Sequence, residues 1–197
     1  MATNKERREA TRESIINAAR IHFADSRYEH THTDSILEHA GVSRGALYHY
    51  FDSKKDLFEA VFVSVVKETT ADAARTGKGG DSALADLTEA CLAWLRSVRQ
   101  PEVGTILLDQ GPQVLGWKRA REIEAQWSMG PMTMGLERAI TAGEIDVASV
   151  ELTSMLLNAL IGEMALISLH QKCKATADEQ ELAIRQFIDG LRRTQSC

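Results

Sequence analysis

Residues 31–61, THTDSILEHAGVSRGALYHYFDSKKDLFEAV, decide how the rest of the chain is read. Thr33 can cap a short helix carrying Ile36, Leu37 and Ala40, and Gly41 can end it because glycine tolerates the left-handed conformation. Two residues later Ser43 can cap a second helix. Ser53-Lys-Lys-Asp56 can then start a third, longer one in which Leu57, Val61 and Val65 keep four-residue spacing. A helix of about eight residues, a short link opening on glycine, and a second capped helix match the spacing of a helix-turn-helix. Ile36, Ala40, Val42 and Leu47 are its expected small core.

At about 100° per residue, Leu47 and Phe51 define the buried side of the helix starting at Arg44. Gly45 and His49 fall nearly opposite, Ala46 and Tyr48 on the shoulders, and Arg44 and Tyr50 at the core edge. A helix entering the major groove of DNA needs small residues near its start and hydrogen-bonding side chains just behind them. Gly45 and Ala46 supply the first, while Arg44, Tyr48 and His49 supply the second. Tyr50 reads equally well as a core-edge aromatic or as a backbone contact. Thr33 and Lys54, at the starts of neighbouring helices, suit phosphates that the helix dipoles already favour.

The same stretch resembles the N-terminal DNA-binding domain of TetR-type transcriptional regulators. The resemblance rests on the hydroxyl before the second helix, the Ala-Gly-Val-Ser turn, Gly then Leu-Tyr in the recognition helix, Phe51, and Ser-Lys opening the fourth helix, and it spans about residues 10–65. It implies operator contacts at Thr33, Ser43, Arg44, Gly45, Tyr48, His49, Tyr50 and Lys54. It also implies about nine helices, a C-terminal ligand cavity, and dimerisation through the last two helices. Leu37 stands where the family often has alanine, and Tyr50 where histidine is frequent.

Outside this stretch the pattern is helical as well. Only three prolines interrupt 197 residues, and aliphatic side chains recur every three or four positions rather than every two. Thr3-Asn-Lys-Glu6 has capping-box spacing ahead of a helix carrying Ile16, Ala19 and Phe23. The basic segment NKERREATR could be an arm for a minor groove, but its glutamates favour a solvated helix start. TGKGGDS reads as a linker. Beyond it come a helix to about Arg99, a short one around GTILLDQG, a longer one from Trp117 toward Ala142 that Gly130-Pro131 is expected to kink or split, and two more.

The expected class is all-α: a helix-turn-helix domain over 1–53 and a helical ligand-binding and dimerisation bundle over 54–197. The segment ELTSMLLNALIGEMALISLH is apolar on more than one face and must bury several, so a homodimer through helices at about 149–172 and 177–194 is the economical arrangement. For the small-molecule effector the candidate lining is Trp94, Trp117, Trp127, Met129, Met155, Asn158 and Glu163, with Met132, Met134 and Met164 as further methionines of the region. Any of the aromatic or methionine side chains could equally be core. Asn158 and Glu163 could orient a ligand or bond across the dimer.

The formal net charge of −5 disfavours a protein that coats nucleic acid without selectivity, but residues 1–67 balance ten Lys/Arg against ten Asp/Glu and hold five of the six histidines. No apolar run is read as approaching the roughly 20 residues needed to cross a bilayer, and the charged start is unlike a secretory signal, so no membrane association and a cytoplasmic location are expected. Cys91, Cys173 and Cys197 form no Cys-x-x-Cys unit, which points to reduced thiols. His22, His30, His32 and His39 lack thiolate or carboxylate support, so neither a metal nor another cofactor is expected. No catalytic motif is present, and an enzyme is not expected. The competing reading is a helical carrier or enzyme whose helix-turn-helix is only structural.

Overall fold

The computed structural model describes residues 3–170 and 173–192. The helices are α1 (Asn4–His30), α2 (Thr33–Ala40), α3 (Arg44–Tyr50), α4 (Lys54–Thr76), α5 (Ala83–Val98), α6 (residues 101–115), α7 (Trp117–Thr141), α8 (Val150–Leu169) and α9 (Ala177–Asp189). α6 is α-helical over Pro101–Gly104, π-helical over Thr105–Gln110 and α-helical again over Gly111–Leu115. Among the described residues there is no strand, only one antiparallel bridge between Ile145 and Arg192. The chain divides into two compact units, residues 1–65 with 101–120 and residues 66–100 with 121–197. The borders fall inside α4 and α7, so each of those helices serves both units.

In the first unit, α1 begins with the reciprocal Thr3–Glu6 capping box and buries Ile15, Ile16, Ala18, Ala19 and Phe23. Ile36 and Leu37 of α2, Leu47 of α3, and Leu57, Phe58, Val61, Phe62 and Val65 of α4 complete that core. Gly41 ends α2 at φ 66°, the left-handed geometry that glycine adopts without steric penalty. A Cβ on Gly111 would lie 2.3 Å from Cε2 of Phe62, so α6 passes α4 at a distance only glycine permits.

Near its end α1 breaks. Arg27 adopts φ 65°, ψ 163°, the one positive φ outside glycine among the described residues. That region is nearly glycine-only and costs an arginine about 1–3 kcal/mol, so neighbours must hold it there. Thr31 does so in part: its backbone N–H and its hydroxyl both donate to the Arg27 carbonyl, at 3.1 and 2.6 Å.

The second unit is built on α5, whose Leu84, Leu87, Leu92, Leu95 and Val98 are buried, with Ile123, Leu136 and Ala139 of α7, Leu157, Ile161 and Ala165 of α8, and Ile184 and Ile188 of α9. Polar ties seal its loops. Glu144 accepts from the Ala83 and Leu84 amides, both at 2.9 Å, and Asp86 pairs with Arg138 at 2.8 Å. Burial pushes the Cys91 thiol up to about 12, so it stays a neutral thiol, while Cys173 is exposed and Cys197 lies outside the described residues.

Three expectations are corrected here. Thr33 does not cap α2: His32 occupies the N-cap without a side-chain cap bond, and Thr33 is the first helical residue. Gly130-Pro131 does not split α7, because losing one hydrogen bond at Pro131 leaves the rest of a 25-residue ladder intact. The expectation that no apolar run nears membrane-spanning length also fails, since α8, at 20 residues and mean hydropathy 1.6, is long and apolar enough to cross one. Its two charges, Glu151 and Glu163, are too few to lower that average, and its apolar side chains point in several directions.

Candidate nucleic-acid interface

α3 is short, and one hydroxyl starts it: Ser43 Oγ accepts from the Ala46 amide at 3.2 Å. Leu47 anchors it in the core with Phe51, its C-cap, while Ser43, Arg44, Gly45, Tyr48 and His49 are exposed and Ala46 and Tyr50 half-buried. A Cβ at Gly45 would meet nothing nearer than Ser43 Oγ at 3.9 Å, so packing within the chain does not require glycine there. A bare backbone at that point serves an approach from outside.

The exposed donors are held in specific poses. Arg44 donates to Asp34 Oδ1 at 2.5 Å, and this bond raises its pKa further. Arg8 of α1 reaches His49 Nε2 at 2.9 Å. Arginine has no acceptor, so in this contact Nε2 offers its lone pair and the ring N–H is the one on Nδ1. That N–H remains for a phosphate or base edge. Tyr50 lies edge-on to His49, with ring centroids 5.1 Å apart.

Lys54, at the start of α4, rests its ammonium 4.3 Å over the centroid of the Tyr28 ring. Burial lowers its pKa, and Glu29 opposes the shift. Ser53 Oγ caps α4 by accepting from the Asp56 amide at 3.1 Å. Thr33 is half-buried at the start of α2. All nine candidate residues, Thr33, Ser43, Arg44, Gly45, Ala46, Tyr48, His49, Tyr50 and Lys54, therefore belong to α2, α3 and the N-terminal ends flanking them, inside one unit.

Three participants escaped sequence reasoning. Arg8 lay in a segment read as a solvated helix start; its basic run was the available signal. Asp34 and Tyr28 carry no motif, and only their tertiary partners Arg44 and Lys54 reveal them.

The effector candidates are spread more widely. Trp94, Trp127, Met129 and Asn158 are half-buried in the second unit, Met155 and Glu163 are exposed there, and Trp117 is exposed in the first unit. Around Trp127 the chemistry is unusual. Its Nε1 and the neighbouring Ser128 Oγ are buried without a hydrogen-bond partner, and the Lys67 ammonium stands 4.4 Å over its ring centroid. One turn away, burial raises the Glu124 pKa against the opposing pull of Arg121, whose guanidinium is 3.3 Å distant. A Cβ at Gly162 of α8 would lie 2.9 Å from Arg121 Nη1, so the end of that arginine would have to shift to admit one. A separate surface lies on α8 and α9, where Leu152, Met155, Leu156, Leu182 and Phe187 are all more than half exposed.

A capped three-helix unit presenting a bare, ring-bearing recognition helix, followed by a helical bundle, defines a helix-turn-helix DNA-binding protein. The chain belongs to the TetR family of bacterial transcriptional regulators: residues 15–61 match the family model for bacterial regulatory proteins, tetR family, and residues 84–193 match the tetracyclin repressor-like C-terminal domain. It is 26% identical over 188 residues to the TetC protein of transposon Tn10 from Escherichia coli, covering 93% of each chain. Among solved structures it is similar to a TetR-family regulator of Pectobacterium atrosepticum, with TM-score 0.84, 25% identity and coverage of 98% and 99% of the two chains. It also shares the fold of the fatty acid degradation regulator FadR of Bacillus halodurans, with TM-score 0.72, 15% identity and coverage of 91% and 95%. The protein is a DNA-binding transcriptional regulator of a family whose members bind operator DNA and small-molecule effectors and act as dimers.

Proposed function

We propose that the chain is a cytoplasmic repressor, without catalytic activity, that binds a palindromic operator as a homodimer and is released by a small molecule. Residues 1–53 read DNA and 54–197 bind the effector and dimerise. The observation that carries this reading is α3, where Leu47 holds the helix and Gly45, Tyr48 and His49 face outward with no packing reason to do so. Tyr48 and the His49 Nδ1–H contact base edges or phosphates, Arg44 exchanges Asp34 for DNA, and Thr33, Ser43, Tyr50 and Lys54 hold the backbone.

The partner copy covers Leu152, Met155 and Leu156 of α8 and Leu182 and Phe187 of α9. Of the expected interface, 149–172 and 177–194, residues 171–172 and 193–194 lie outside the described residues. The membrane-length apolarity of α8 is thereby accounted for by protein contact. Two recognition helices then address half-sites about one helical turn, roughly 34–36 Å, apart. Effector binding beside Trp127, where the unpartnered Nε1–H and Ser128 hydroxyl can meet an acceptor, favours a geometry with wrongly spaced helices and lowers operator affinity by its differential affinity for the two states.

Binding of the purified protein to fragments of its own upstream DNA, across a salt series and beside an unrelated fragment of equal length, tests the reading. Tight, sequence-selective binding that weakens steeply with salt is the expected result. Equal binding to both fragments, or none, favours a carrier whose helix-turn-helix is structural.

A further inference from the structure

The break in α1 at Arg27 turns the Tyr28 amide away from the helix ladder, in which it would donate four residues back. One side chain meets that amide and ties it to the turn before the break. Gln110, the last residue of the π-helical turn of α6 and only 1% exposed, donates its Nε2–H to the Phe23 carbonyl at 2.8 Å and accepts the Tyr28 N–H on Oε1 at 2.5 Å. Asp109, the residue before it, takes the Arg27 guanidinium at 2.5 Å. The two ends of this bridge are 87 and 82 residues from Gln110 along the chain.

Tyr28 is the link outward. Its ring packs on Phe23 and Phe58, with centroids 5.7 and 5.4 Å away, and carries the Lys54 ammonium on its face. We propose that Gln110 is a positioning residue for operator binding: by substituting for the lost turn of α1 it fixes Tyr28, and through Tyr28 the phosphate-binding ammonium of Lys54. Without its amide, α1 is free to close into an unbroken helix and relieve Arg27, which turns Tyr28 out from under Lys54. The π-helical turn thus sets the aim of the phosphate clamp, and any shift of residues 105–110 is felt there. This rests on Lys54 being a phosphate contact, as proposed above.

The test is a double-mutant cycle on operator affinity with Gln110→Met and Lys54→Ala in the full-length dimer, each measured across a salt series. Gln110→Met is expected to weaken binding roughly tenfold and to lower the salt slope by about one per protomer, as losing a phosphate contact does. In the Lys54→Ala background it is expected to change affinity little, because the group it positions is gone. An unchanged affinity and slope overturns the proposal, and so does an equal loss in both backgrounds with the slope preserved. If Lys54→Ala alone has no effect, the phosphate role of Lys54 fails, and the positioning role with it. If it weakens binding and Gln110→Met does not, only the positioning role fails. Should Gln110→Met not fold, Tyr28→Leu removes the ring under Lys54 and leaves the Gln110 bonds in place. It is expected to give the same slope change and the same non-additivity, and their absence overturns the proposal.

Discussion

The two exposed surfaces of this protein are built on opposite chemistry. α3 presents polar rings and a bare backbone, and its charged neighbours are already engaged: Arg44 with Asp34, Arg8 with His49. The faces of α8 and α9 present Leu156 at 62% and Phe187 at 63% exposure, with no polar compensation at either side chain. A hydrated polyanion is recognised by donors that can trade one anion for another, whereas a second copy of the chain is recognised by excluding water from apolar area. The first surface is therefore expected to be sensitive to salt, and the second to single charges.

The largest expected effect breaks that contrast from the apolar side. Leu156→Asp combined with Phe187→Asp is expected to give a monomer by sedimentation with helical content intact. Losing the second half-site contact is expected to lower operator affinity by about 100-fold or more. A dimer that survives both charges would move the interface elsewhere.

On the polar side, Tyr48→Ala is expected to weaken operator binding by about 1–3 kcal/mol while the melting temperature stays within a degree or so. A large stability loss with DNA affinity preserved would make Tyr48 a packing residue. Asp34→Asn is a smaller and opposite perturbation. Freeing Arg44 is expected to tighten binding to unrelated DNA by roughly two- to fivefold and to steepen its salt dependence. Unchanged non-specific binding would show that Arg44 is available despite its partner.

The smallest effect is expected at Glu124. Burial raises its folded-state pKa against the pull of Arg121, so the folded protein holds the proton more tightly than the unfolded chain does. Stability is then full below the unfolded value, near pH 4, and is lost as pH rises through the folded value. Glu124→Gln is expected to melt higher than the parent at pH 7 and to lose that advantage below pH 4. A variant less stable at pH 7 would mean that the Arg121 pairing outweighs burial.

How much of this could be read beforehand depends on the distance over which each feature is coded. Caps act across three residues, and those of α1, α3 and α4 were legible because a hydroxyl and an acceptor or amide stand at fixed spacing. The cap of α2 was misread by one position, since Thr33 looks like an N-cap but the Thr31 hydroxyl is spent on α1 and His32 takes the cap position. The apolar excess of α8 was visible as composition, though the run was not read as reaching membrane-spanning length.

The sequence alone determined the helix-turn-helix, the outward set of α3 and the need of α8 to bury more than one face, because helical periodicity and capping are local. It also carried the family resemblance through those same residues. Only the tertiary structure decided that Arg27 breaks α1, that Gln110 mends the break from more than eighty residues away, that Tyr28 carries Lys54, and that Trp127 and Ser128 keep unpartnered polar atoms. No spacing rule encodes these. They arise where helices distant in sequence meet, and a buried polar group must take whatever partner the packing brings to it.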